Sequence, residues 1–147
     1  MERDFDKIVE SLLGTPYWVI DMLPMQVPQE GGGQYFAVER YYLQEWHKRL
    51  CQQFADVLLK LNCYHDLHVN HFDEWVKNPA PATLVEWLTK SLHQGFLWIL
   101  IDDGNTLITV SSGDTHMTLY NASPDLLELV GKLATSSGLF LWQPETN

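Results

Sequence analysis

The sequence predicts one α+β domain over residues 1–147, with a mostly antiparallel sheet that includes a C-terminal three-stranded meander and packs against about four helices. Three observations carry this. Several segments repeat apolar residues at three- and four-residue steps, short β-rich runs separated by turn residues fill the C-terminal third, and no composition shift or repeat marks a domain boundary. With 147 residues and 46% hydrophobic content, the chain can build one core that buries roughly 70% of the surface its unfolded form exposes.

From Arg3 to Leu13, the apolar positions Phe5, Ile8, Val9, Leu12 and Leu13 make one helical stripe, which Gly14 ends. Tyr17 to Met22 is a short β-rich run between Pro16 and Pro24. Pro24 to Gln34 holds Pro28 and Gly31-Gly32-Gly33, too much proline and glycine for a regular element. Val38 to Leu61 carries Val38, Tyr42, Trp46, Leu50, Phe54, Val57, Leu58 and Leu61 on one face and reads as a single long helix. Cys63 to Phe72 alternates loosely, as a strand does, and Asp73 to Lys77 reads as its exit. Asn78-Pro79-Ala80-Pro81 leads into a helix with Leu84, Val85, Leu88 and Leu92 on one side, stopped at Gly95. Phe96–Ile101, Thr106–Ser111 and Thr115–Tyr120 form the meander, joined by Asp102-Asp103-Gly104-Asn105 and Ser112-Gly113-Asp114. Ser123-Pro124-Asp125 supplies a cap, a first-turn proline and an acid for a last helix over Leu126, Leu127, Val130 and Leu133. Leu139 to Trp142 is a final strand expected to join the meander.

Nine basic against nineteen acidic residues give a formal charge of −10 and a pI near 4.8. Affinity for nucleic acid comes from basic groups that displace counterions, so an acidic chain with scattered cations disfavours that class of partner. The same charge steers basic proteins toward the surface, besides keeping the chain soluble. The longest purely apolar run, Phe96 to Ile101, is far shorter than the ~18 residues a membrane helix needs. The charged start, Met1-Glu2-Arg3-Asp4, does not resemble a secretory signal, and a cytoplasmic location is the expectation. On a continuous helix Cys51 and Cys63 would stand ~18 Å apart, beyond the ~7 Å a disulfide spans. Reduced, mostly buried thiols are therefore expected.

Cys63, His65, His68, His71 and Asp73 have the chemistry of transition-metal ligands. A strand would hold His65 and His71 about 20 Å apart and turn His68 to the other face, so no metal site and no cofactor are expected. Asp102 and Asp103 lie across a strand length from Asp114, too far for a carboxylate pair, and Asp103-Gly104 is better explained as a type I′ turn. Gly31, Gly32 and Gly33 lack the lysine and spacing of a phosphate loop and suit an adaptable rim. No serine stands in a nucleophile elbow.

The 6 tryptophans are more than a core of this size needs. Trp46 and Trp98 sit in apolar patterns and are expected inside. Trp75, beside Asp73 and Glu74, and Trp87, beside Glu86, are expected at a surface patch, because partly exposed aromatics dominate interface energetics.

No motif names a family. The leading expectation is a non-enzymatic interaction module whose acidic, aromatic surface, Asp73, Glu74, Trp75, Glu86 and Trp87 with the Gly31–Gly33 rim, binds a basic protein. In general character, small, acidic and α+β, the chain is similar to toxin-neutralising immunity proteins, which implies such a partner. The alternative is a small-molecule binding or catalytic domain with a pocket between sheet and helices and His65, His68 or His116 as its polar group. His116 should face away from Met117 and Leu119, and a pocket of more than ~300 Å³ beside one of these histidines is what this alternative requires. Self-association through a Phe140/Trp142 edge strand is a third route.

Overall fold

The computed structural model describes residues 4–102 and 104–145. In chain order the elements are α1 (Phe5–Leu12), β1 (Tyr17–Asp21), α2 (Tyr35–Glu45), α3 (His47–Leu61), β2 (Leu67–His71), β3 (Glu74–Lys77), α4 (Pro81–His93), β4 (Phe96–Ile101), β5 (Thr106–Ser111), β6 (His116–Tyr120), α5 (Pro124–Ser136) and β7 (Phe140–Trp142). The strands form one seven-stranded sheet in the order β3-β2-β4-β5-β6-β1-β7, every neighbouring pair antiparallel. The fold is therefore α+β. β4, β5 and β6 pair in chain order but stand mid-sheet, with the hairpin β2–β3 on one side and β1 and β7 on the other.

Strand alternation splits the sheet into two apolar layers. Its inner face, with Ile20, Leu67, Val69, Ile99, Ile108, Met117 and Leu119, packs on Leu50, Phe54, Leu58 and Leu61 of α3, Leu84 and Leu88 of α4, and Val130 of α5. Phe54, Val57, Leu58 and Leu61 have no exposed surface, and burial of a side chain of this size contributes roughly 1.5–3 kcal/mol. On the outer face a second, smaller cluster joins Val9 and Leu12 of α1 to Leu100 and Leu107, with Phe5, Ile8, Trp75, Trp98 and Tyr120 around it. Asp4 caps α1 by accepting the Lys7 N–H at 3.2 Å, and Ser123 caps α5 by accepting that of Leu126 at 3.2 Å.

Five expectations are corrected. Residues 38–61 are not one helix: Trp46, at φ −115° and ψ 24°, divides α2 from α3, which raises the helix count to five. No residue of α2 is buried, whereas α3 buries seven, so the shared periodicity hid two different surroundings. Trp46 is accordingly 38% exposed and not core; its ring packs on Tyr42 and Tyr41 at 4.9 and 5.7 Å, under the Arg49 guanidinium at 5.1 Å. Of residues 73–77, read as an exit, Asp73 is a turn residue and Glu74–Lys77 form the edge strand β3, paired with β2 through Val69↔Val76 and His71↔Glu74. The strand before it begins at Leu67, because Cys63, Tyr64 and His65 close a turn onto Lys60 and Leu61. Finally, β7 reaches the meander only through β1, which lies between them.

Cys51 is buried and Cys63 exposed, both as free thiols, so the expectation that both thiols are mostly inside holds for Cys51 alone. Of the Asp103-Gly104 turn, Asp103 lies outside the described residues, while Asp102 and Gly104 have φ of 58° and 93°. No helix among the described residues is long and apolar enough to cross a membrane.

Candidate functional site

The outer face of the sheet is treated differently along its width. α1 covers it over β4 and β5, whereas among the described residues its part over β6, β1 and β7 borders cavities. Register brings one side-chain set to that second part: Tyr17, Val19 and Asp21 from β1, His116, Thr118 and Tyr120 from β6, and Trp142 from β7. Their alternates, Ile20, Met117 and Leu119, are buried against the helices. His116 thus faces as its parity predicts.

These residues, with Leu13, Gln26, Tyr35 and Pro144, line a cavity of about 470 Å³. A second cavity of about 660 Å³ lies between the same Asp21, Gln26, Tyr35 and Trp142 and the loop from Val27 to Gln34. Because both are walled by these four residues, Asp21 sits where they meet. The chain leading into the loop is tied down at two points: the Trp142 indole donates to the Leu23 carbonyl at 3.0 Å, and the Gln26 side chain accepts the Glu145 N–H at 2.8 Å. Gly31, Gly32 and Gly33 follow as an exposed rim. Gly33 has φ 96°, a left-handed backbone that a glycine supplies without strain just before α2 begins.

Asp21 is 6% exposed. Its Oδ1 accepts the Met22 N–H at 2.8 Å, and among the described residues no Lys or Arg pairs with it. Burial holds its carboxyl above the ordinary value, against the opposing pull of His116, the Met22 and Leu23 backbone N–H groups and the Trp142 indole. Asp114, on the other side of His116, is also raised by burial, opposed by His116 and reinforced by Glu39. Tyr35 donates to Glu39 Oε2 at 2.9 Å, and burial, followed by that acceptor, pushes its phenol up to about 12. Among the described residues the fully buried Thr115 hydroxyl meets no partner at hydrogen-bond geometry. Two titratable groups displaced from their usual ranges, Asp21 and Tyr35, thus line a partly enclosed space of mixed polar and aromatic walls, a feature that ligand sites share.

The residues singled out from sequence fall into three places. Gly31, Gly32 and Gly33 rim the cavity at the β7 end. At the opposite end, Trp75 lies on the outer face, ring to ring with Phe5 at 5.3 Å and donating to Asp6 at 3.1 Å. Trp87 lies on the inner side, stacked on His71 at 4.3 Å and 13°. Both are half-buried and the sheet separates them. Asp73 and Glu74 are exposed at the β2–β3 hairpin, and Glu86 bonds Lys90 at 2.9 Å, which with that partner's charge holds its carboxyl below the ordinary value.

The histidine-rich stretch is likewise dispersed. His65 meets Asp102 at 3.0 Å, His68 packs on Phe5 at 4.9 Å, and His71 takes Trp87. Among the described residues no group of three potential ligands is placed to hold a metal ion. The site residues missed in the sequence, Asp21, Tyr35 and Trp142, carried one usable signal: a lone acid closing a strand of otherwise apolar and aromatic residues. No family model, curated protein or solved structure matches the chain.

Proposed function

We propose that the protein is a small-molecule-binding domain whose site is the outer sheet face over β6, β1 and β7, roofed by the loop from Val27 to Gln34. The observation that carries this is Asp21, a nearly inaccessible carboxyl at the junction of two cavities, with no Lys or Arg paired to it among the described residues. Both volumes lie in the ~300–1,000 Å³ range typical of ligand pockets, and the smaller one borders His116. Trp142, Tyr17, Tyr35 and Tyr120 supply apolar walls, and Gln26, Thr118 and His116 supply the few polar groups that orient a ligand. Fragment screening by NMR tests the reading: binders should perturb Trp142, Tyr35 and Gly31–Gly33 together. Hits scattered over the surface, with none at these positions, contradict it.

A second reading, an interaction module for a basic protein, is supported by the β2–β3 hairpin. Phe72 is 85% exposed at φ 50°, and Asp73 follows at φ 64°. A bulky side chain in that conformation is strained, and such outliers persist where something other than stability retains them. The tip stands on the open edge strand β3 beside Asp73, Glu74 and Glu86, which would attract a basic partner. Immobilised protein should retain a basic partner, and Phe72→Asn should release it; retention unchanged by that substitution contradicts this reading.

A further inference from the structure

We infer that the ligand of the Asp21 cavity is an organic ammonium ion: an amine carrying a short apolar or aromatic arm. The inference rests on the binding-site reading above and specifies the ligand's charge and shape.

Charge is the first argument. Among the described residues, neither cavity is lined by a Lys or Arg, and His116 is the one basic side chain on their walls, so a phosphate or carboxylate would meet Asp21 with that imidazole alone to offset the repulsion. A cation would meet a carboxylate already desolvated by the fold, in a setting where each charge counts for more than in water. The net charge of −10 draws cations toward the protein from outside.

Shape is the second. The cavity walls are aromatic: Trp142 and Tyr35 at the Asp21 end, and at the other end of β1 the Tyr17–Tyr120 pair, whose centroids lie 5.6 Å apart. Aromatic faces attract ammonium groups by their quadrupole, most strongly when water is excluded. An ammonium at Asp21 leaves its arm against Trp142 and Val19, and the Gln26 amide and Thr118 hydroxyl can accept its remaining N–H groups. A hydrated metal ion would use none of the aromatic wall.

The third argument is energetic. Burial opposes ionisation of Asp21 more strongly than His116, the Met22 and Leu23 N–H groups and the Trp142 indole favour it, so the empty site carries a cost that a bound cation lowers. An apolar residue at position 21 would pack that sheet face without the cost.

Calorimetry with three probes of one shape provides the test: phenethylammonium, 2-phenylethanol and phenylacetate. The ammonium should bind at least tenfold more tightly than the alcohol, and phenylacetate should show no heat. In Asp21→Asn, folded by circular dichroism, the preference for the ammonium should disappear; should that variant not fold, the ratio in the natural protein decides alone. Alcohol or phenylacetate binding as tightly as the ammonium, with Trp142 perturbed, overturns the ammonium class and leaves the pocket reading intact. No heat and no perturbation of Trp142 by any probe overturns both.

Discussion

The two halves of the outer sheet face are built from the same alternating strands and end differently. Over β4 and β5 the outward residues Leu100 and Leu107 are apolar, and α1 seals them with Val9 and Leu12. Over β6, β1 and β7 the outward residues are Tyr17, Asp21, His116, Thr118, Tyr120 and Trp142, and what lies above them is a proline- and glycine-rich loop. Periodicity is the same in both halves; only the chemistry of the outward set differs. A sheet face closes when its outward set can pay for a helix, and it remains a cavity when that set includes a buried acid and amphipathic rings.

The contrast predicts unequal costs of truncation. Leu107→Ala, in the sealed half, should lower unfolding free energy by about 2–5 kcal/mol, while Tyr17→Ala, on a residue already 42% exposed, should cost under ~1 kcal/mol. Urea denaturation measures both, and equal losses would erase the distinction.

Asp21→Asn should act in the opposite direction. Folding holds the Asp21 carboxyl above its ordinary value, so the folded state binds that proton more tightly than the unfolded chain does. This contribution is present at pH below the ordinary carboxylate value and is lost as pH rises through the raised one. At neutral pH the ionised group is a cost, set against the favourable pull of His116, the Met22 and Leu23 N–H groups and the Trp142 indole. The variant should therefore melt a few degrees higher than the natural protein at neutral pH, with the gap closing on acidification. A variant that melts lower at neutral pH contradicts the assignment.

Phe72→Asn sharpens the comparison at the far end of the sheet. Left-handed backbone costs a bulky residue roughly 1–2 kcal/mol, and asparagine tolerates it, so stability should rise by about 1 kcal/mol with the cavity unaffected. Glu86→Gln should be the smallest change: its pair with Lys90 is solvent-exposed, and the denaturation midpoint should not move.

Much of this was legible beforehand. α1, α4, α5 and the strands β4 to β6 follow from apolar period and from caps such as Ser123-Pro124-Asp125, because those signals are local. The division at Trp46 has no glycine or proline to mark it, and α2 before it buries no residue fully, touching the core with Leu43. The β2–β3 hairpin was obscured because Phe72 and Asp73 occupy turn positions that usually announce themselves with asparagine and glycine. His116 could be placed on the outer face by parity, but Asp21 could not be paired with it until β1 was known to lie beside β6. Trp142 joins them only because β1 separates β7 from the meander, a neighbourhood set by long-range pairing.

The indole N–H groups allow the two halves to be read in one experiment. Trp75 donates to Asp6 at the sealed end, and Trp142 donates to Leu23 at the open end. A ¹H–¹⁵N titration of the natural protein with phenethylammonium should shift the Trp142 indole resonance in a saturable manner and leave that of Trp75 in place. A shift at Trp75 equal to that at Trp142, or no saturable shift at Trp142, would contradict a binding site at the open half of the sheet.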